Sequence, residues 1–269
     1  MKDSGETPRI EIVDLTHTYV RGRSQVAAFK KLSLSIQQGE FVSIVGPSGC
    51  GKTTLLFSIA GFIQPTSGRI LVDGELISGP GPNRGVVFQS FALFNWLTVR
   101  QNVEFGLQMA GVPPKGRRPR SDELLGMVGL TRFADRYPYE LSGGMKQRTA
   151  ISRALATNPD ILLMDEPFAA LDTQSREILQ EELVRIWDLT RKTVVFVTHS
   201  IDEAIYLSTR VVVFTARPGK IKYVTSINLP APRYDPHVRT SPEFVTIKDS
   251  VLDLVREETI KQFAEEALT

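Results

Sequence analysis

The residues most capable of chemistry lie in short runs, each next to an apolar stretch. Gly46-Pro47-Ser48-Gly49-Cys50-Gly51-Lys52-Thr53 has the spacing G-x-x-x-x-G-K-[ST], directly after the apolar run Phe41 to Val45 and before the helix-suited Thr54-Leu55-Leu56-Phe57. Glycines let such a backbone turn back on itself, so that several N–H groups converge on one anion and the next helix adds its positive end. Lys52 then reaches the β and γ phosphates and the Thr53 hydroxyl ligates Mg2+. Ile161-Leu162-Leu163-Met164-Asp165-Glu166 reads as a buried strand ending in adjacent carboxylates. Asp165 suits a metal-holding role and Glu166 that of a general base acting on water. His199, in Val197-Thr198-His199-Ser200, follows another apolar run and stands where a γ-phosphate could be reached.

The elements that must position these residues follow from hydrophobic period. Phe41 to Val45, Ile161 to Met164, Val194 to Val197 and Val211 to Phe214 are short, continuous and β-branched, as buried strands of a mostly parallel sheet are. Between them Leu179, Leu183 and Ile186 recur at helical spacing within Thr173 to Asp188, the pattern of a crossover helix. In such a sheet ligands bind beyond the carboxyl ends of the strands, the edge at which the glycine loop, Asp165, Glu166 and His199 are all expected. Near the start, Ile10 and Ile12 alternate with polar residues, and Leu32, Leu34 and Ile36 alternate with serines, which predicts an antiparallel flank. From Phe91 to Leu155 the strand pattern gives way to helical stretches, broken at Gly111-Val112-Pro113-Pro114 and at Gly116-Arg117-Arg118-Pro119-Arg120. The basic run Lys115 to Arg120 reads as a solvated loop rather than a phosphate or membrane contact. Phe244, Ile247, Val251, Leu254 and Val255 keep a helical period, so the tail is expected to be an amphipathic helix.

Composition narrows the class. The chain has 269 residues, 42% hydrophobic and 23% charged, enough to bury a core. Lys plus Arg number 32 against 30 Asp plus Glu, a net +2 that gives no support to a nucleic-acid partner. Apolar runs of four residues, such as Ile161 to Met164, fall far short of the roughly 18 that a spanning helix needs. Met1 to Ile10 carries Lys2, Asp3, Glu6 and Arg9 without an apolar stretch, so no secretory leader is expected. The single cysteine, Cys50, precludes an internal disulfide and agrees with a reducing compartment. Its place beside Lys52 and a helix N-terminus predicts a lowered thiol pKa, with alkylation that inactivates and ATP that protects.

Leu141-Ser142-Gly143-Gly144-Met145-Lys146-Gln147-Arg148 closely resembles the LSGGQ signature of ABC transporter ATPases, with Met145 where the family usually has Gln. Ser142, Gly143 and Gly144 precede a helix-suited run, Met145 to Ala156, and so offer hydroxyl and N–H donors to an anion; the serine alone would also serve as a helix cap. The resemblance covers about residues 9 to 225. It implies an α/β fold: a RecA-like P-loop NTPase core, about 1–90 and 156–241, with the antiparallel flank and an inserted helical subdomain at about 91–155. A C-terminal helical extension, 242–269, follows this ATP-binding domain.

Activity and ligands follow from the same resemblance: hydrolysis of ATP with Mg2+, in head-to-tail dimers whose glycine loop and signature come from different subunits. Carried onto this sequence, the nucleotide is held by Tyr19 against the adenine, by Gly46, Pro47, Ser48, Gly49, Cys50, Gly51, Lys52, Thr53 and Thr54 around the phosphates, and by Ser142, Gly143, Gly144 and Asp172 across the dimer. Glu166, His199, Lys52 and Gln89 are the implied catalytic residues, and Thr53, Gln89 and Asp165 the implied Mg2+ ligands. Phe91-Ala92-Leu93-Phe94-Asn95-Trp96-Leu97-Thr98-Val99 and Arg217-Pro218-Gly219-Lys220-Ile221 look like the importer subunits for nitrate, sulfonate, taurine and related solutes, although Asn95 stands where Pro often precedes the Trp. The implied partners are a second ATPase subunit, forming a homodimer, permease subunits in the membrane, and indirectly a solute-binding protein. The implied place is the cytoplasmic face of the inner membrane. Phe91, Leu93, Phe94 and Trp96 either line a groove for a permease helix or fill the helical subdomain. A soluble ABC ATPase that remodels DNA, ribosomes or an iron–sulfur assembly is the rival reading, disfavoured by the single cassette, the lack of a cysteine cluster and the small net charge. The tail helix is expected to pack, with regulation as its alternative use.

Overall fold

Runs of β-branched residues and runs of Leu, Glu and Arg alternate along the chain, and most become the element their period predicts. The computed structural model describes residues 7–22, 24–229 and 235–267; residues 1–6 of the N-terminal stretch and 268–269 of the tail lie outside the described residues. The chain begins with strands β1 (Ile10–Arg21), β2 (Ser24–Ile36) and β3 (Phe41–Val45), helix α1 (Lys52–Ala60), and strands β4 (Ser67–Val72) and β5 (Glu75–Leu76). It continues through β6 (Arg84–Val87), α2 (Val99–Met109), α3 (Pro114–Met127), α4 (Gly143–Ala156), β7 (Ile161–Asp165) and α5 (Thr173–Thr190). It ends with β8 (Thr193–Val197), α6 (Ile201–Leu207), β9 (Arg210–Phe214), β10 (Ile221–Ser226) and α7 (Pro242–Glu266). These elements fall into two compact units, one within residues 1–81 and 191–269, the other Pro82–Thr190.

In the first unit, β3 lies between β9 and β8, parallel to both, and β10 extends the β9 edge antiparallel. Every residue of β3 and of β8 is buried, which is why both read as continuous apolar runs and not as alternating ones. Register pairs Ile44 with Val197 and Val45 with Val213, so these strands finish at one edge. Phe41 and Phe196 pack with ring centroids 5.8 Å apart, and Leu55, Leu56 and Ile59 of α1 are fully buried. Each such side chain contributes roughly 2 kcal/mol over leaving it exposed. The expected flank is an antiparallel sheet of order β2-β1-β4-β5, with Ile10 opposite Ile36 and Ile12 opposite Leu34.

In the second unit, β6 and β7 pair in parallel, with Val87 opposite Met164. α2 packs on α3 and α4, and α4 on α5. Thr98 opens α2 with a capping box: its hydroxyl accepts from Gln101 N–H while Gln101 Oε1 accepts from Thr98 N–H at 2.9 Å. The break at Gly111-Val112-Pro113-Pro114 is present between α2 and α3. The break expected at Gly116 to Arg120, and with it the loop expected at Lys115 to Arg120, is absent: both lie inside α3. Pro114 occupies the favoured first helical position, and Pro119 stands only in the second turn, where its missing N–H forgoes a single bond. Side chains hold the segment: Arg118 pairs with Asp122 at 3.4 Å, Arg120 with Glu123 at 2.8 Å and with the Leu155 carbonyl at 3.1 Å. Lys115 and Arg118 remain solvated.

Candidate functional site

The glycine loop leaves the carboxyl end of β3 and runs into α1, which begins at Lys52 itself. Its N-cap is Gly51, whose carbonyl accepts from Leu55 N–H at 2.9 Å. A glycine cap brings no side-chain hydrogen bond to the first turn, and the N-terminus of a helix suits an anion. Lys52 is buried, and its ammonium donates to the Gly46 and Pro47 carbonyls at 2.8 and 2.9 Å. Ser48 and Gly49 are exposed at the tip, and Thr53 is exposed on the first turn of α1. Beside that turn, the half-exposed Tyr19 near the end of β1 holds its hydroxyl 3.1 Å from Thr54 Oγ1, and His17 meets its ring edge-on at 4.5 Å.

At the same sheet edge β8 delivers Thr198 and the exposed His199. A buried network fixes the backbone on both sides of the histidine. Thr198 Oγ1 donates to Glu203 Oε2 at 2.6 Å and accepts from Ser200 N–H at 3.0 Å, while Ser200 Oγ accepts from Glu203 N–H at 3.3 Å.

The second unit gathers the carboxylates. Asp165 ends β7 and is buried, and Glu166 follows in the left-handed region at φ 43°. Gln89, just past β6, donates from Nε2 to Glu166 Oε2 at 3.4 Å. A bulky non-glycine side chain held at positive φ costs about 1–2 kcal/mol, and such positions cluster at working sites. Ser142 caps α4, its hydroxyl oxygen accepting from Met145 N–H at 3.3 Å, which leaves its O–H proton as a donor. Gly143 and Gly144 form the first turn of that helix. Asp172 accepts from Ser175 N–H at 3.0 Å at the head of α5, and that backbone bond, followed by the Ser175 side chain, holds its carboxyl below the usual range.

Residues 29–169 match the protein family described as ABC transporter. The chain belongs to that family. It is 48% identical over 252 residues to a nitrate import ATP-binding protein, NrtD, of Synechocystis, with 92% of this chain and 95% of that protein covered. A taurine import ATP-binding protein, TauB, of Rhizobium johnstonii is 49% identical over 232 residues, covering 84% and 88%. Among solved structures, a dimeric post-hydrolysis state of the ATP-binding cassette MJ0796 with ADP and Pi aligns with a TM-score of 0.72 at 36% identity, covering 81% of this chain and 99% of that one. This ABC protein is accordingly an ATP-binding cassette and an ATPase, with the P-loop NTPase fold expected from its motifs. No helix among the described residues is long and apolar enough to cross a membrane.

In the first unit the Thr53 hydroxyl, and in the second the Asp165 carboxylate and the Gln89 amide, each offer a hard oxygen of the kind Mg2+ takes. Among the described residues no group of three or more His, Cys, Asp or Glu gathers to hold a metal.

Cys50 differs from expectation. Its side chain is fully buried, and burial pushes the thiol pKa up, outweighing the nearby Lys52 ammonium whose Nζ is 3.8 Å from Sγ. Proximity in sequence to a positive charge did not reveal that the thiol points inward. The importer-like segment also divides: Trp96 is 73% exposed, whereas Phe94 packs on Phe105 at 4.4 Å. Sequence reasoning missed Arg153, which lies 5.6 Å over the Phe94 ring and donates to the carbonyls of Phe91 and Ala92, both at positive φ. Burial lowers the Arg153 pKa. No local pattern signals this arginine, because the carbonyls it holds lie 61 and 62 residues away in sequence.

Proposed function

We propose that this chain is the ATP-hydrolysing subunit of a bacterial importer for a small solute such as nitrate, a sulfonate or taurine, working through a separate permease. The observation that carries the reading is the near 50% identity, over most of both chains, to proteins of nitrate and taurine import. Residues 1–241 form the ATP-binding domain in this reading, with 91–155 as its helical subdomain and 242–269 as an extension. The chain acts as a homodimer on the cytoplasmic face of the inner membrane, a solute-binding protein delivering cargo on the other side. The dimeric state of the MJ0796 cassette supports the pairing.

In the catalytic cycle, the loop from Gly46 to Thr54 binds the phosphates through its N–H groups, and Lys52 transfers its ammonium from loop carbonyls to the β and γ phosphates. Tyr19 stacks on the adenine. Thr53, Asp165 and Gln89 would hold Mg2+ directly or through water, and bound there it would supply neutralisation of the phosphate charge. Glu166 takes the proton of the attacking water, and His199 donates to the γ-phosphate as charge develops. From the partner subunit, Ser142, Gly143 and Gly144 present the hydroxyl proton and N–H groups to the γ-phosphate, and Asp172 lies across the dimer. ATP stabilises the closed dimer only through tighter binding to it, and hydrolysis removes that difference.

The test is purification of the tagged chain from native membranes, identification of companions by mass spectrometry, and ATPase assay beside Glu166→Gln. A multi-span permease and a solute-binding protein are expected, the ligand of the latter naming the cargo. Recovery with nucleic acid or ribosomes, and no permease, would overturn the importer reading and leave the ATPase standing.

A further inference from the structure

The segment Arg217-Pro218-Gly219-Lys220-Ile221 has no part in the cycle above, yet it is seated on the phosphate loop. It forms the turn from β9 to β10. Arg217 donates through Nε and Nη2 to the Gly49 carbonyl, both at 3.1 Å. Gly49 sits at φ 74°, and a Cβ there would stand 2.8 Å from Arg217 Nη2. Gly219 donates its N–H to the Ala28 carbonyl of β2 at 2.8 Å, and a Cβ on it would fall 2.1 Å from the Cys50 carbonyl. Backbone therefore rests on backbone, and only glycine permits that approach.

The other side of the turn is anchored by α7. Ala216 donates its N–H to Glu258 Oε2 at 3.1 Å, and that side chain is almost wholly buried. Glu258 Oε1 accepts from Lys222 of β10 at 2.8 Å and from Lys261 at 3.0 Å. An unbroken path of hydrogen bonds and backbone thus runs from the C-terminal helix through Ala216 and Arg217 to Gly49.

A trans peptide is planar, so its C=O and N–H point in opposite directions. Holding the Gly49 carbonyl toward Arg217 turns the Cys50 N–H into the loop, where it donates to the Pro47 carbonyl at 3.4 Å, a long bond for which an anion in the loop competes. We propose that Arg217 is a positioning residue for phosphate binding, fixing the Gly49–Cys50 peptide with its N–H aimed at the anion, and that Glu258 of the C-terminal helix holds the turn that carries it. The inference rests on reading residues 46–54 as the phosphate loop. Nucleotide affinity then depends on a helix that touches no nucleotide.

The experiment uses the full-length chain, with equilibrium binding of a fluorescent ATP analogue, KM and kcat for ATP, amide hydrogen exchange and thermal midpoints. Losing one fixed donor predicts that Arg217→Ala raises the dissociation constant and KM about tenfold, with kcat changed by less than about twofold. Arg217→Lys recovers part of the loss, since an ammonium lacks the guanidinium fork. Glu258→Ala weakens binding severalfold, Glu258→Gln restores it because the amide oxygen still accepts from Ala216, and Glu258→Ala adds nothing in the Arg217→Ala background. Faster exchange of the Cys50 amide accompanies each loss, and carries the test through Arg217→Lys if Arg217→Ala does not fold. Unchanged affinity in Arg217→Ala beside weakened binding in Lys52→Ala overturns the clamp alone. Unchanged binding in Lys52→Ala overturns the loop reading, and the clamp with it. Additive effects of Arg217 and Glu258 remove α7 from the path.

Discussion

At the scale of single residues, burial decides more than charge. Cys50 stands beside a cation and near a helix N-terminus, both of which favour a thiolate, but its sulfur has no exposed surface and its pKa is raised. Thiol reagents must therefore wait for the loop to open. N-ethylmaleimide is expected to modify the folded chain at least about a hundredfold more slowly than the urea-unfolded chain. Mass spectrometry of quenched samples follows the reaction, and equal rates would show that the thiol is open to solvent. Glu166 is the other residue with a sharp expectation. Glu166→Gln keeps the size and the acceptor oxygen but removes the basic carboxylate, so ATP binding should persist while turnover falls by about a hundredfold or more. A variant with normal phosphate release would take Glu166 out of the base role. The turn into α1 that carries Lys52 and Thr53 and the end of β7 that carries Asp165 and Glu166 were legible as structure because each is one contiguous run. Arg153 and Arg217 were not, because each acts on a carbonyl far away in sequence, 168 residues in the case of Arg217 and Gly49.

Elements show the same division between local and distant causes. The docking of α7 is electrostatic as well as apolar: Lys222 reaches Glu257 at 2.6 Å and Glu258 at 2.8 Å. Hydrogen bonds from Lys222 and Lys261 hold the Glu257 carboxyl down at about 2. Burial alone would raise Glu258, but hydrogen bonds from Lys222, Lys261 and Ala216 outweigh it and the net shift is downward. Burial opposes the Lys222 charge too, and its bonds to the two glutamates still leave its pKa raised. Depressed carboxylates add stability above their ordinary value near 4.5 and lose it as pH falls toward their folded values. A raised lysine adds stability below its ordinary 10.5 and loses it as pH climbs past its folded value. The loss of thermal midpoint in Lys222→Met should be constant between about pH 5 and pH 10 and should shrink below pH 4; a loss that does not vary with pH would point to packing alone. Buried strands such as β3 and β8 were readable because both faces are covered. The helix α3 was not, since Gly116 and Pro119 weaken the local signal while Arg100, which donates to Ser121 at 3.2 Å and pairs with Asp122, holds the segment from outside it. Strand β4 mixes buried and exposed residues and β10 has none fully buried, so neither gave a continuous apolar run.

For the whole molecule, the measurable quantities are its assembly and its total stability. ATP and Mg2+ together should shift Glu166→Gln from monomer to dimer in gel filtration, because the bound nucleotide is not consumed; EDTA should return it to monomer, and a monomer under both conditions would argue against nucleotide-driven pairing. Total stability carries a further trace of the work the chain does. Glu166 is held in a left-handed backbone conformation that asparagine tolerates far better than glutamate. Replacing it with asparagine should raise the thermal midpoint by roughly 2 °C and abolish turnover. A library of this gene sorted only for heat resistance would thus drift toward asparagine at 166, and one sorted for ATP turnover would drift back. One dihedral angle would then separate the sequence that lasts longest in the heat from the one that turns over ATP.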